Sequence, residues 1–262
     1  MDPLAVRRAF TRQLRQDLRP TAGAAVQRDE HVTAVVGDGW RGVVWSDLTD
    51  EDADDVIARQ VARFAGTSWE WKHYSGDRPD DLPERLLRAG FLSDPPESVM
   101  VADLGDLDLD AALPAGVELV TVATAADVAA LVRVHEQVFG GDHRSVGEQV
   151  ASALGTAAPS VVGVLALAGG TAVSAGRVEF HEGTEFASIW GGGTLPGWRS
   201  RGVFRALVAR RAALALDRGF RYLQVDALPS SRPILARLGF VELMTTTPYS
   251  RPVDGASEQE GG

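Results

Sequence analysis

Apolar and polar positions follow two different periods along the 262 residues of the chain. Alternating or β-branched runs predict strands, and apolar positions three and four residues apart predict helices. We predict a hairpin within 31–48 and strands at 68–74, 98–103, 117–122, 161–167, 171–180, 185–195, 220–227 and from 241. We predict helices at 3–18, 50–64, 80–89, 126–139, 146–154, 203–216 and from 231. Mixed helices and strands of this kind indicate an α/β protein.

The order of these elements repeats along the chain. A strand pair, a helix, a strand, a helix ending in Gly-Phe and a further strand occupy 31–103 and again 161–247. The first helix of this kind ends in LLRAGF at 86–91 and the second ends in LARLGF at 235–240. The sequence therefore predicts two units of one fold in tandem.

Composition shifts place the boundaries of these units. The acidic stretch with proline and glycine at its end, LGDLDLDAALPAG, is typical of a connection between domains. We predict an N-terminal domain at 1–105, a linker at 106–115, a second domain at 116–252 and a disordered polar tail at 253–262.

The stretch 194–207, TLPGWRSRGVFRAL, carries the clearest chemical signal in the chain. It connects a predicted strand to a predicted helix through a short basic loop. The first N–H groups of a helix lack partners within it, and the helix dipole adds positive potential there. Such a helix start binds a pyrophosphate, and nearby arginines add charge-assisted hydrogen bonds. Gly202 has no Cβ and allows the backbone to approach an anion closely.

This stretch resembles the signature of the GNAT (Gcn5-related) N-acetyltransferases, Q/R-x-x-G-x-G/A between a strand and a helix. Arg199 occupies the Q/R position and Gly202 the first glycine position, whereas Phe204 replaces the final small residue. A later helix closing on Gly-Phe also matches the family. The resemblance implies a mixed, mostly antiparallel central sheet flanked by helices in each unit. It also implies acetyl-CoA as co-substrate, with pantetheine and pyrophosphate bound by Gly193, Thr194, Arg199, Ser200, Arg201, Gly202, Val203 and Phe204.

The N-terminal unit lacks this loop. Its equivalent segment, SDLTDEDAD at 46–54, is rich in aspartate and glutamate. Carboxylates at this place repel a pyrophosphate. We therefore expect a degenerate N-terminal unit that does not bind acetyl-CoA and a second unit that transfers the acetyl group to a primary amine.

The proton-transfer residues are less clearly marked. The family often uses a tyrosine as acid at the position of Leu235, so we take Ser231 as a candidate acid, with a helix cap as the alternative. Glu179 is the candidate base because it lies within an apolar strand, and a surface-facing position is the equal alternative. Asp226 ends a predicted central strand, where either a ligand-binding or a turn role fits. His181, Glu185 and Ser188 are the other polar groups on neighbouring strands.

Composition restricts the partners. The chain has no cysteine, a net charge of −10 and no apolar run long enough to cross a membrane, and we expect no metal site. We expect acetyl-CoA and a small-molecule or peptide amine as partners, no nucleic acid, no membrane and a cytoplasmic location, and we leave a homodimer open.

Two other functions remain open. The chain could be a non-catalytic protein that kept the fold, or a transferase for a longer acyl group or a hydroxyl acceptor.

On the helix after the loop, we expect Arg205, Arg210 and Arg211 to face solvent.

Overall fold

A computed structural model of the chain describes residues 1–20, 23–37 and 40–253. Its helices are α1 (Pro3–Phe10), α2 (Ala53–Arg63), α3 (Leu82–Arg88), α4 (Ala125–Phe139), α5 (Arg144–Ser152), α6 (Val203–Asp217) and α7 (Arg232–Arg237). The strands are β1 (Ala24–Arg28), β2 (Val32–Gly37), β3 (Arg41–Ser46), β4 (Trp69–Tyr74), β5 (Leu92–Ser93), β6 (Glu97–Asp103), β7 (Val117–Thr121), β8 (Val161–Ala168), β9 (Thr171–Phe180), β10 (Phe186–Thr194), β11 (Tyr222–Ala227) and β12 (Val241–Arg251).

The chain divides into two compact units. One comprises Asp2–Val99 together with the chain from Leu243, and the other comprises Met100–Glu242. This division differs from the predicted boundaries at both ends, because most of β6 groups with the C-terminal unit and most of β12 with the N-terminal unit. The predicted linker at 106–115 also packs, since Leu107, Leu109 and Leu113 lie against buried residues of the C-terminal unit.

The N-terminal unit contains the strand order β1-β2-β3-β4-β12, and β5 pairs with β12. Only the β3–β4 pair is parallel among the pairings that we describe in this unit. Trp71, Ile57, Leu82 and Leu86 are among the fully buried side chains, so α2 and α3 cover the sheet with the apolar positions that predicted them. A short π-helical segment, Thr11–Gln16, continues α1.

The C-terminal unit contains the strand order β6-β11-β10-β9-β8-β7. The strands from β7 to β10 pair antiparallel, and β10 pairs parallel with β11. Helix α6 packs on one face against Val178, Ala187 and Ile189, and α4 packs on the other face against Leu165 and Ala175. The alternating strand positions therefore serve two opposite cores.

The predicted elements are confirmed in order and type, with two omissions. The sequence pattern does not predict β1, whose side chains are half-buried or exposed and show no strong apolar alternation. It also does not predict the two-residue strand β5, and the last strand, predicted from 241, runs to Arg251 as β12. The central part of the predicted hairpin turn, residues 38–39, and the predicted tail from residue 254 lie outside the described residues. No helix within the described ranges is long and apolar enough to cross a membrane.

Candidate acyl-CoA site

The start of α6 offers a row of unused backbone donors. Ala206 N donates to Gly202 O at 3.0 Å, and this bond closes the first turn. Among the described residues, the N–H groups of Gly202, Val203, Phe204 and Arg205 have no acceptor. Since these groups point out of the helix start, they form a ready binding site for an anion.

The loop before α6 adopts left-handed backbone at two positions. Gly202 has φ 84° and Ser200 has φ 60°. A left-handed conformation is rare for a residue other than glycine and concentrates at functional sites. Phe204 does not obstruct the loop, because its side chain packs against the core beside α6. The departure from the small residue of the signature therefore leaves the backbone donors accessible.

Two exposed arginines flank these donors. Arg199 Nε donates to Thr194 O at 3.0 Å, and the Arg201 guanidinium lies 5.1 Å from the centre of the Trp198 ring. Neither arginine forms an ion pair with a carboxylate in the part of the chain that the structure describes. Arg205, in contrast, pairs with Asp108. The loop thus retains two positive charges for an anionic ligand.

A wedge opens between β10 and β11. The two strands pair only from Phe186 to Ser188 on β10, opposite Tyr222 to Gln224 on β11. Beyond Ser188, the edge of β10 that faces β11 has no partner strand among the described residues. Gly193 and Thr194 lie at this unpaired edge, and Ser174 Oγ holds them by donating to Gly193 O at 2.6 Å. An extended ligand arm can pair with such an edge.

Polar side chains line the α4 face of the sheet beside the wedge. Ser188 Oγ donates to Gln224 Oε1 at 2.7 Å, and Gln224 Nε2 donates to Asp226 Oδ1 at 2.7 Å. His181 Nε2 lies 2.8 Å from Ser188 Oγ. Because the serine proton goes to the glutamine, the histidine donates at Nε2, and all three bonds run toward the Asp226 carboxylate. Burial lowers the pKa of His181, which favours its neutral form.

Glu179, the candidate base, lies on this same face of the sheet. Its Oε1 accepts from Arg177 Nε at 2.8 Å and from Gln149 Nε2 at 3.2 Å. The alternative of a surface-facing position does not describe it, since its side chain is 19% exposed. The ion pair with Arg177 and the hydrogen bond from Gln149 together hold the carboxylate in place.

Ser231 and Glu185 lie in other surroundings. Ser231 precedes α7, but its hydroxyl caps no helix and instead donates to Leu228 O at 3.1 Å. Glu185 lies 3.6 Å from Arg221 in an ion pair at the start of β10. Neither contact brings these side chains into the row that ends at Asp226.

His135 of α4 is buried against the wedge strand. A Cβ added to Gly191 would lie 2.6 Å from its ring, and its Nε2 has no partner among the described residues. Burial, with the nearby charges of Arg177, His143 and Arg211, lowers the pKa of His135 to about 4. The ring is therefore neutral at physiological pH.

The depressed pKa of His135 predicts acid sensitivity. Between pH 6.5 and about 4 the unfolded chain binds a proton at this site and the folded chain does not, so stability falls as the pH falls. We expect the wild type to lose about 3 kcal/mol more than a His135→Phe variant over this interval. Urea titrations at pH 7 and pH 4 measure the difference, and equal losses in both proteins would contradict the assignment.

The N-terminal unit contains a counterpart of the wedge, and this counterpart is filled. Its parallel strands β3 and β4 pair at only two positions and then separate. Arg15 spans the gap, because its Nε donates to Val44 O at 2.9 Å and its Nη2 reaches Asp77 Oδ2 at 2.7 Å. Its guanidinium also lies 3.7 Å from the centre of the Tyr74 ring. A side chain of the chain itself therefore occupies the place of a ligand arm.

The start of α2 is equally unsuited to an anion. Asp52 accepts from the Thr49 backbone N–H at 2.9 Å, and this bond holds the pKa of its carboxyl below the usual value. Asp54 and Asp55 add further negative charge to the first turn. The helix start in this unit therefore carries carboxylates where α6 leaves unused donors.

No family model and no curated protein match the sequence. Solved structures do match the fold. A GCN5-related N-acetyltransferase from Kribbella flavida superimposes with a TM-score of 0.64 at 17% identity over 95% of each chain. The fold is that of the GNAT acetyltransferases. A GCN5-related N-acetyltransferase from Sphaerobacter thermophilus matches 87% of this chain and 83% of its own, with a TM-score of 0.58 and 14% identity.

A tandem GNAT protein from the clavulanic acid biosynthesis pathway also matches, with a TM-score of 0.57 and 16% identity over 89% of this chain and 84% of its own. The predicted fold class, a mixed and mostly antiparallel sheet flanked by helices in two tandem GNAT units, is thereby confirmed. At these identities the likeness concerns the fold, so the function has to be argued from the site.

One of the three α6 arginines is not where the sequence placed it. Arg205 and Arg210 are exposed as expected, but Arg211 is buried at 1% exposure between α6 and the sheet. An arginine on α6 is expected on the solvent face unless the sheet that packs against the helix leaves space for its side chain. Here Gly176 and Gly192 make that room, and only the strand register brings them to the helix.

Proposed function

We propose that the C-terminal unit binds acetyl-CoA and transfers its acetyl group to a primary amine. The observation that supports this most is the row of unused N–H donors from Gly202 to Arg205 beside two uncompensated arginines. The backbone donors with Arg199 and Arg201 would hold the pyrophosphate, and the unpaired edge at Gly193 and Thr194 would hold the pantetheine arm. Bound acetyl-CoA would supply an acetyl thioester that is reactive toward amines.

The chain's own contribution is to bind and deprotonate the incoming ammonium. We assign this role to Asp226, because three hydrogen bonds running from His181 through Ser188 and Gln224 orient its carboxylate. Glu179 already accepts two hydrogen bonds at one oxygen, so it serves better to hold Arg177 on this face. Ser231, whose hydroxyl bonds Leu228 O, stays a candidate donor to the departing thiolate.

The N-terminal unit contributes no second cofactor site in this proposal. Arg15 fills its wedge, and aspartates occupy its helix start. We therefore propose one acetyl-CoA per chain.

The proposal is tested by following thiol release from acetyl-CoA in the presence of a panel of primary amines. We expect at least one amine to accelerate the release in the wild type. An Asp226→Asn variant should lower this rate by about a hundredfold, the effect of losing a general base, while CoA affinity stays the same. Asp217→Asn, which removes an exposed carboxylate at the end of α6, is the matched control.

The outcomes separate the alternatives. CoA binding without turnover on any amine would favour the non-catalytic protein with a retained ligand site. Turnover that Asp226→Asn leaves unchanged would remove Asp226 from the reaction and return the role of base to Glu179.

A further inference from the structure

Strand β10 carries a bulge at the point where the wedge opens. Trp190 pairs with Arg177 and Gly193 pairs with Ala175, so Gly191 and Gly192 together oppose the single residue Gly176 of β9. A bulge bends a strand and redirects the residues that follow it. The residues that follow here are Gly193 and Thr194, at the unpaired edge.

Arg211 lies directly against this bulge on the α6 face. Its Nη1 donates to Arg177 O at 3.3 Å and to Trp190 O at 3.4 Å, which are the carbonyl oxygens of the last regular pair before the bulge. A Cβ added to Gly192 would lie 3.0 Å from Nη2, and one added to Gly176 would lie 2.8 Å from Nη1. The glycines of the bulge and the guanidinium therefore fit one another closely.

The position of Arg211 is costly for the fold. Its Nη2 has no hydrogen-bond partner among the described residues, and no carboxylate there pairs with it. Burial lowers its pKa to about 9, so the side chain still carries its charge at neutral pH. A buried cation without a counter-ion destabilises a protein, and apolar side chains of similar volume often restore stability. Packing alone would therefore favour an apolar residue at position 211.

We propose that Arg211 is a positioning residue for acyl-CoA binding. It fixes the carbonyl groups that precede the bulge of β10 and thereby sets the direction of the edge at Gly193 and Thr194. This inference rests on the proposed function, because it concerns the same wedge.

The test compares CoA affinity with thermal stability in an Arg211→Met variant. We expect CoA to bind about tenfold more weakly by calorimetry while the melting temperature stays equal or rises. A merely structural side chain would behave in the opposite way, with a lower melting temperature and unchanged affinity. Arg210→Met removes the exposed neighbour on α6 and should change neither quantity.

A second variant decides the matter if Arg211→Met does not fold. Gly176→Ala keeps the arginine but would place a Cβ 2.8 Å from its Nη1, which displaces the guanidinium from the bulge, and the same loss of CoA affinity is expected. Wild-type affinity in the folded variant would overturn the inference and leave the proposed function standing. Absence of CoA binding by the wild type itself would overturn both.

Discussion

Replacement of Gly202 by valine is expected to weaken CoA binding by about a hundredfold, the largest single-residue effect on the ligand. Gly202 has φ 84°, a conformation that β-branched residues avoid. A Cβ there would make only an ordinary contact, 3.5 Å from Ala112 O, so the strain comes from the left-handed backbone, and the loop has to shift to relieve it. Any such shift turns the N–H groups of Val203, Phe204 and Arg205 so that they no longer point at the same anion. The anion then loses several hydrogen bonds at once.

Gly219 provides the matched control for this experiment. It follows the other end of α6 with φ 80° and has open space around its Cβ position. Gly219→Val therefore introduces the same backbone strain on the same helix, far along the chain from the loop. We expect both variants to lose similar stability and only Gly202→Val to lose affinity in a calorimetric titration. Equal affinities would show that CoA does not use the start of α6.

The second large effect concerns stability and lies in the N-terminal unit. Asp77→Ala should lower the free energy of unfolding by about 3–5 kcal/mol, because it leaves the buried Arg15 guanidinium without its counter-ion. The side chains of this pair are only 3% and 7% exposed. Asp77 Oδ2 also accepts from the Tyr74 backbone N–H at 3.0 Å, and that bond is lost as well. Urea unfolding monitored by tryptophan fluorescence measures the change.

An exposed pair nearby in sequence serves as the control. Arg78 and Asp80 pair at 66% and 86% side-chain exposure, so Asp80→Ala should change the free energy of unfolding by less than about 1 kcal/mol. The double variant Arg15→Met, Asp77→Ala should recover part of the loss, since it removes the stranded charge. If Asp77→Ala lowered the free energy of unfolding as little as Asp80→Ala, Arg15 would not be held firmly between β3 and β4.

The loop at the start of α6 could be predicted from sequence because its chemistry is local. Arg199, Gly202 and the following apolar helix lie within a few residues, and the orphan donors follow from helix geometry alone. The acidic start of α2 could be predicted from sequence for the same reason. In both places, side-chain type and helix position together decide which charge the helix start accepts.

The interior of the site could not be predicted in the same way. The bonds joining Ser188 to Gln224 and to His181 depend on the register of β10 against β11 and on the hairpin with β9, which no local pattern specifies. The sequence predicts Arg211 on the solvent face because the glycines that accommodate it lie on strands distant in sequence. The unit to which most of β6 or most of β12 belongs likewise depends on contacts between residues far apart in sequence.

The most direct test of the account is a calorimetric titration of the wild-type chain with CoA. The account predicts saturable binding of one CoA per chain. Among the described residues, aspartates occupy the helix start of the N-terminal unit and Arg15 fills its wedge, whereas the C-terminal unit has arginines beside its helix start and a wedge that no side chain spans in this way. Absence of binding would contradict the assignment of the site. Binding of two CoA molecules per chain would contradict the claim that Arg15 closes the wedge of the N-terminal unit to a ligand.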